Sequence, residues 1–206
     1  NIYTRKDLLI CFQNNLMPTI SSIRECLICN NIGKEYQSKF SLHLKVDTGM
    51  SRLGFQSNEF INIFDTIMSF KNIFVAGIYS HLASADETNA LDKKSFTQNQ
   101  KIQFNKILKK IKLKEYPSIC AHLANSAGTL LGNEFHYDMV RVGLSMYGYN
   151  PLSNSEIKLN LKPALNLKSK VSFIRVIKKG IGVSYASKFT SSRKTKLAVI
   201  SIGYAD

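Results

Sequence analysis

Apolar and polar residues alternate over residues 40–46, and this pattern predicts a β-strand with one buried face. The apolar face carries Phe40, Leu42, Leu44 and Val46. The opposite face carries Ser41, His43 and Lys45. Lys45 therefore lies at the end of the strand, on the face opposite the leucines.

Further strands are predicted at residues 74–79, 118–122 and 138–142, and residues 15–20 end a shorter one. Helical spacing of apolar residues predicts helices within 60–68 and 96–111, and a third that is capped by Ser21 or Ser22. Strands that alternate with helices form parallel sheets. Five such βα units fit either a barrel or a doubly wound sheet.

The positions of the polar residues favour the barrel. Four basic or histidine residues lie at or just past the C-terminal end of a predicted strand: Lys45, His81, His122 and Arg141. In α/β barrels, the loops at the C-terminal ends of the strands build the active site. The predicted fold class is therefore α/β, with a barrel in preference to a doubly wound sheet.

The pattern changes after Pro151, because residues 162–177 and 196–202 alternate without a helix between them. A β-rich second domain is expected to begin near residue 160. We predict one domain over residues 1–160 and the beginning of a C-terminal β-domain over residues 161–206.

The loop at residues 45–54, KVDTGMSRLG, contains two cations and two glycines. The turn at Gly49 can carry Arg52 back toward the end of the strand, next to Lys45. Two positive side chains in one small volume repel each other. The pair therefore requires an anion or a chemical change.

Charge alone does not identify a partner. The formal net charge is +14, but only six of the 28 basic residues are arginines, and aromatic residues do not alternate with them. We prefer a lysine-rich solvated surface to a nucleic-acid-binding module.

No apolar run approaches the ~20 residues of a membrane span and no signal peptide is recognisable. A cytosolic protein without a membrane partner is expected.

Cys26 and Cys29 form a CxxC motif, which raises a redox or zinc interpretation. No second CxxC or histidine pair accompanies it. The motif lies in a predicted amphipathic helix with Ile20, Ile23 and Leu27 on the buried side. We therefore expect buried, reduced cysteines and no metal site.

Six motifs together resemble alanine racemase, a fold-type III pyridoxal 5'-phosphate enzyme. In chain order they are KVDTGMSRLG at 45–54, SHLASADE at 80–87, ANSAG at 124–128, VRVGLSMYG at 140–148, VSY at 183–185 and IGYAD at 202–206. The resemblance covers essentially the whole chain. It implies an α/β fold in which a partial (α/β)8 TIM-type barrel, covering about strands 4 to 8, is followed by the start of a β-rich domain. It also implies pyridoxal phosphate as cofactor and a homodimer with shared active sites.

The family's Schiff-base lysine lies in a Lys-Ala-Asn-Ala-Tyr-Gly segment after the first strand, and no such segment occurs in this sequence. The resemblance therefore implies an internal fragment that also lacks most of the β-domain. The fragment alone is expected to be inactive. The intact enzyme would interconvert L-alanine and D-alanine in the cytoplasm and supply D-alanine for peptidoglycan in the cell wall.

The resemblance implies two bases on opposite faces of the substrate, of which Tyr185 is one. In the family this tyrosine comes from the partner subunit. A phenol ordinarily titrates near pH ~10, so it needs help from neighbours. His81 and Arg141 supply that help in the family. Arg141 also faces the pyridine nitrogen and, since it keeps its proton, leaves that nitrogen unprotonated.

The resemblance also implies a phosphate site after the last two barrel strands, built from Asn125, Ser126, Gly143 and Leu144. For Ser126 an ordinary helix cap is the structural alternative. Tyr204 would line the substrate channel, or alternatively pack in the core of the β-domain.

Lys45 is implied to be carbamylated, so that its anionic carbamate holds Arg52 against the phenolic oxygen of the cofactor. The alternative is a plain amine that pairs with Asp47. Ser51 stands where the family frequently has glycine.

Other functions stay open at this point. A racemase for serine, lysine or several amino acids is the nearest alternative, and a catalytically inactive truncated remnant is another.

Overall fold

A computed structural model describes residues 3–152 and 159–203 of the chain. The chain divides into two compact units, Asn1–Ala164 and Leu165–Asp206. Tyr204, which was assigned to the substrate channel, lies outside the described residues.

The first unit contains an open parallel sheet with helices between its strands. Its strands are β1 (Thr19–Ile20), β2 (Phe40–Asp47), β3 (Phe55–Gln56), β4 (Ile73–Tyr79) and β5 (Cys120–His122). The strand order is β1-β2-β4-β5, and β3 pairs with the end of β2. The predicted α/β architecture with a partial barrel is confirmed.

The alternation along β2 is reproduced in the structure. The side chains of Leu42, Leu44 and Val46 are fully buried, and His43 and Lys45 lie on the other face. The predicted strand at residues 138–142 is wrong as a strand, because only Met139 forms a parallel bridge, with His122. This segment still runs beside the chain at the end of β5, because the Arg141 N–H donates to the carbonyl of Ala124.

In the described part of the chain, five α-helices lie between and beside the strands: α1 (Arg5–Gln13), α2 (Ile23–Glu35), α3 (Ser57–Met68), α4 (Phe96–Lys110) and α5 (Ser126–Leu131). The sequence pattern did not predict α1. Its N-terminus carries a capping box in which Thr4 and Asp7 hydrogen-bond each other's backbone N–H. The predicted cap of α2 is confirmed, because the Ser22 hydroxyl accepts from the Glu25 N–H.

The cysteines of the CxxC motif are free and fully buried in α2. Burial raises the pKa of Cys26 to about 12, so its thiol stays protonated and inert. The prediction for Leu27 is wrong, because this residue is 45% exposed. The buried face of α2 instead contains Cys26, Cys29 and Ile32.

Within its described residues, the second unit contains two small antiparallel sheets. One pairs β6 (Val171–Ile177) with β9 (Thr195–Ile200), and the other pairs β7 (Gly182–Val183) with β8 (Phe189–Thr190). The predicted β-rich character is confirmed, whereas residues 162–170 form no strand. The side chains of β6 are exposed along most of its length, and only Ile177 is buried.

Within the described residues, none of the helices is both long and apolar enough to cross a membrane.

Gly33 lies where α2 packs against the loop before β4, and its replacement by alanine tests this contact. A β-carbon at this position would lie 2.3 Å from the carbonyl oxygen of Asn72 and 2.7 Å from that of Ser38. We expect Gly33→Ala to lower the free energy of unfolding by about 2 kcal/mol because the backbones must separate, although alanine favours helices by about 1 kcal/mol. Urea denaturation measures the difference.

Asn31→Ala is the matched control, since Asn31 is exposed on the same helix. It should leave stability unchanged or slightly higher. A Gly33→Ala protein as stable as this control would show that α2 does not approach the loop so closely.

Candidate functional site

Functional side chains converge at the C-terminal ends of the parallel strands. Lys45 is near the end of β2, His122 ends β5, and His81 follows β4 by two residues. Arg141 comes from the segment that runs beside β5. Because parallel strands end at the same edge of the sheet, residues distant in sequence meet there.

Arg141 is the centre of this cluster. Its Nη1 donates to His122 Nδ1 at 2.7 Å. Its Nη2 donates to the carbonyl oxygens of Ser80 at 2.8 Å and Leu123 at 3.2 Å, and lies 3.3 Å from His81 Nδ1. Burial lowers the pKa of Arg141, but a guanidinium keeps its proton at any physiological pH. The acceptors therefore face a permanent positive charge.

Both histidines bound by Arg141 are neutral. Burial, followed by the charge of Arg141, lowers the pKa of His81 to about 4. The same two causes lower the pKa of His122 to about 3. Each ring can therefore accept a hydrogen bond from the guanidinium through an unprotonated Nδ1.

Tyr79 forms an aromatic wall of the site that the sequence pattern did not single out. Its ring stacks on His122 with centroids 4.7 Å apart and 9° between the planes. The Arg141 guanidinium carbon lies 4.7 Å from the centroid of the Tyr79 ring, and Lys45 Nζ lies 6.0 Å from it. The only available signal was its position as the last residue of a strand.

Gln100 on α4 was also missed, and it fixes the loop that carries His81. Its Nε2 donates to the His81 carbonyl at 2.9 Å, and its Oε1 accepts from the Ala83 N–H at 2.8 Å. The side chain is 1% exposed. A glutamine on an otherwise amphipathic helix gave no specific signal.

Lys45 is 5% exposed and has no carboxylate partner within the described part of the chain. Burial and the charge of Arg52 lower its pKa, and Asp47 opposes them. The Asp47 carboxylate instead accepts from the backbone N–H groups of Gly49 and Ser51. The structure thus brings the two cations near each other and does not form the alternative Lys45–Asp47 ion pair.

Ser51 has a φ of 56°, in the left-handed region where glycine is favoured. A glycine, which the resemblance implies at this position, would adopt this conformation without strain. The hydrogen bond from the Ser51 N–H to Asp47 holds the turn in place.

The residues assigned to a phosphate site also meet. The Ser126 hydroxyl accepts from the Gly143 N–H at 2.8 Å and the Ser145 N–H at 3.3 Å. Asn125 caps α5, since its Oδ1 accepts from the Gly128 N–H at 2.9 Å. The Ser145 hydroxyl is buried and has no partner among the residues described. Leu144, next to Gly143, is 50% exposed.

Tyr185 lies in the second unit, where it is 95% exposed. Its neighbours Ser184 and Ala186 both have left-handed φ values, 61° and 54°. The backbone here is strained and presents the tyrosine to solvent.

Comparisons with known proteins identify the family of the chain. The model of the alanine racemase N-terminal domain matches residues 1–151, and that of the C-terminal domain matches residues 164–206. The chain belongs to the alanine racemase family.

Named relatives of this racemase-family chain support the same assignment. It is 43% identical over its whole length to an alanine racemase of Prochlorococcus marinus, of which it covers 53%. It is 40% identical to one of Synechocystis over 93% of the chain and 50% of that protein. The chain thus spans about half the length of the curated relatives it matches.

Solved alanine racemases share its fold. The Clostridium difficile enzyme superposes with a TM-score of 0.80 at 30% identity, covering 100% of this chain and 53% of the other. The Bartonella henselae enzyme, described with covalently bound pyridoxal phosphate, gives 0.76 at 29% identity over 99% and 54%.

Among the residues described, no group of three or more His, Cys, Asp or Glu side chains could hold a metal ion.

The two neutral histidines should make this racemase-family protein less stable in mild acid. In the unfolded state their rings take up protons as the pH falls below about 6.5, whereas His81 and His122 stay neutral until the pH nears their lowered pKa values. The unfolded state then binds more protons, so the free energy of unfolding should fall between about pH 7.5 and pH 5. Urea denaturation at both pH values measures this change.

A His122→Asn variant lacks one of these rings and should show a smaller decrease between the two pH values. Equal stability of the unsubstituted protein at both would contradict the neutral state of the rings.

Proposed function

We propose that this chain forms about half of an alanine racemase that interconverts L-alanine and D-alanine with pyridoxal 5'-phosphate. The observation that carries the proposal is Arg141, a half-buried guanidinium held by His81, His122 and two carbonyls at the strand ends. Arg141 forms no ion pair among the described residues, where the ion pairs are Arg5–Glu35 and Lys112–Glu115. Such a site fits an anionic ligand.

The phosphate group fits the residues beside α5. The Ser126 hydroxyl lies against the backbone N–H groups of Gly143 and Ser145, and the Ser145 hydroxyl is buried without a partner among the described residues. A β-carbon at Gly143 would meet no atom within 4 Å, so the space above this glycine is open. Asn125, Ser126, Gly143 and Leu144 would hold the phosphate through hydroxyl and backbone donors.

The ring end of the cofactor fits Arg141. Of the five N–H groups of the Arg141 guanidinium, the Nε–H and one Nη1–H have no acceptor in the described parts of the chain. Either of these free N–H groups could donate a hydrogen bond to the unprotonated pyridine nitrogen of the cofactor. When bound, pyridoxal phosphate withdraws electrons from the substrate's α-carbon and so acidifies its proton. A permanently protonated arginine limits that withdrawal, which disfavours side reactions.

Proton transfer would involve Tyr185 and His81. Because Arg141 donates to His81 Nδ1, the neutral His81 ring carries its proton on Nε2. That N–H can donate to a phenolic oxygen and stabilise its deprotonated form. We infer that Tyr185 of the partner subunit supplies this phenol, which is the reason to propose a homodimer. Its exposure and strained loop support this.

Lys45 and Arg52 would position the cofactor's phenolic oxygen. The buried lysine has a lowered pKa, and a neutral amine can attack CO2, form an N–C bond and release a proton. The resulting carbamate would neutralise the two cations and orient Arg52. The carbamate would supply the negative charge that Lys45 and Arg52 otherwise lack among the described residues.

We further propose that residues 1–160 are the C-terminal half of the racemase barrel domain and that residues 161–206 begin its β-domain. Tyr204 would line the substrate channel. The enzyme would act in the cytoplasm and supply D-alanine for peptidoglycan.

Racemisation is tested on the protein expressed from its complete reading frame with added pyridoxal phosphate. We expect D-alanine to form from L-alanine, and Tyr185→Phe to slow exchange of the L-alanine α-proton with solvent by roughly 10²-fold or more. Exchange from D-alanine should suffer less, because the other base serves that face. Chiral chromatography and deuterium incorporation measure these rates.

Tyr36→Phe, an exposed tyrosine on the first unit, is the matched control and should leave both rates unchanged. Serine and lysine serve as alternative substrates. A protein that binds pyridoxal phosphate and racemises only one of these would contradict the assignment to alanine, and equal losses from both enantiomers would contradict the role of Tyr185.

The carbamate on Lys45 is expected to appear as a ¹³C resonance after equilibration of the protein with ¹³C-labelled bicarbonate. Lys45→Met should abolish it, since no amine remains at that position. If the resonance is absent, or persists in Lys45→Met, Lys45 is not carbamylated.

A further inference from the structure

His43 is a polar residue of β2 to which the proposed chemistry gives no role. It lies on the same face as Lys45, two residues earlier. Its Nδ1 is 2.9 Å from Nε2 of His122, and the two rings meet edge to face with centroids 5.1 Å apart. Since His122 also bonds Arg141, His43 is joined to the centre of the site through one intervening ring.

The guanidinium fixes the direction of this hydrogen-bond chain. Arginine only donates, so Nδ1 of His122 must accept from Nη1. The single proton of the neutral His122 ring is then on Nε2 and is donated to His43 Nδ1. His43 therefore accepts, and its own proton is on Nε2. A proton on His43 Nδ1 would set two donors against each other.

The backbone makes room for the His43 ring at Gly77. A β-carbon on Gly77 would lie 2.4 Å from His43 Nδ1 and 2.5 Å from its Cε1. The register of β2 and β4 also shifts between Leu42 and His43, immediately before His43 pairs with Gly77. Both features bring the ring of His43 against the neighbouring strand and within reach of His122.

We propose that His43 is a positioning residue that holds His122 in its Nε2–H tautomer and so keeps His122 Nδ1 available to Arg141. The part of this inference that concerns catalysis rests on the proposed function. The part that concerns the tautomer rests on hydrogen-bond geometry alone.

The requirement for an acceptor follows from burial. His122 is 2% exposed, so without His43 its Nε2–H would be buried and unpaired, which is unfavourable. The ring could avoid this only by moving or by changing tautomer. Either change removes the acceptor that Arg141 Nη1 requires. Burial followed by the Arg141 charge lowers the pKa of His43, which agrees with a neutral acceptor.

The first test uses the unsubstituted protein from the complete reading frame, labelled with ¹⁵N in its histidine rings. The His122 ring should show a proton on Nε2 only, with a hydrogen-bond coupling from that proton to His43 Nδ1. A His122 ring protonated on Nδ1, or on both nitrogens, at neutral pH would overturn the proposal. This measurement needs no substitution and no cofactor.

Three variants then separate the acceptor from the bulk of the ring. His43→Phe keeps a ring but removes the acceptor, and His43→Asn places Oδ1 where Nδ1 was. Gly77→Ala places a methyl group where the His43 ring lies. We expect His43→Phe and Gly77→Ala to give a mixture of His122 tautomers and to lower kcat roughly tenfold. His43→Asn should keep the single Nε2–H tautomer of His122 and a kcat close to that of the unsubstituted protein.

Ser41→Ala, on the same face of β2 and two residues before His43, is the control and should change neither reading. If His43→Phe and His43→Asn had the same His122 tautomers and the same kcat, the proposal would be overturned. That result would mean that the hydrogen-bond acceptor at this position does not matter. A protein that shows the predicted tautomer but does not racemise alanine would contradict the proposed function and leave the hydrogen-bond inference standing.

Discussion

The site depends on one constraint, which is the partial burial of the Arg141 guanidinium without a carboxylate partner among the described residues. A buried charge must be compensated by hydrogen bonds and polarisable neighbours, because desolvation is costly. Two carbonyls, two imidazoles and the face of Tyr79 provide this compensation. All of these groups are neutral. The positive charge is therefore solvated by the protein but not cancelled.

This constraint explains the state of the surrounding groups. The histidines must stay unprotonated on the nitrogens that face the arginine, and Lys45 and Arg52 add further positive charge nearby. A cluster with this excess of cations is stable as a ligand site but not as a structural core. Neutralisation by a bound phosphate and by an anion at Lys45 would complete it, and both fit the residues present.

Much of the site could be predicted from the sequence, because parallel strands with period two place side chains at one edge of the sheet. Lys45, His81, His122 and Arg141 were placed there from strand ends alone. Tyr79 and Gln100 could not be recognised, since an aromatic at a strand end and a glutamine on a helix are also typical of ordinary packing. The helix α1 had a local signal, the Thr4–Asp7 capping box, that was overlooked. Leu27 was misplaced because neighbouring α1 and the sheet, and not helical periodicity alone, decide which side of α2 is buried.

The chemistry of arginine also restricts how the histidine network can act. A proton cannot pass from His122 to His81 through Arg141, because the guanidinium would have to give up a proton of its own. The network is therefore not a proton relay. It is a chain of fixed donors and acceptors whose directions all start at Arg141. On the His81 side it ends in an N–H that faces away from the arginine, and on the other side it ends at His43. In the proposed mechanism, the proton exchanged through Tyr185 would therefore involve only the His81 side of the network, while the His122 and His43 side determines where the arginine stands.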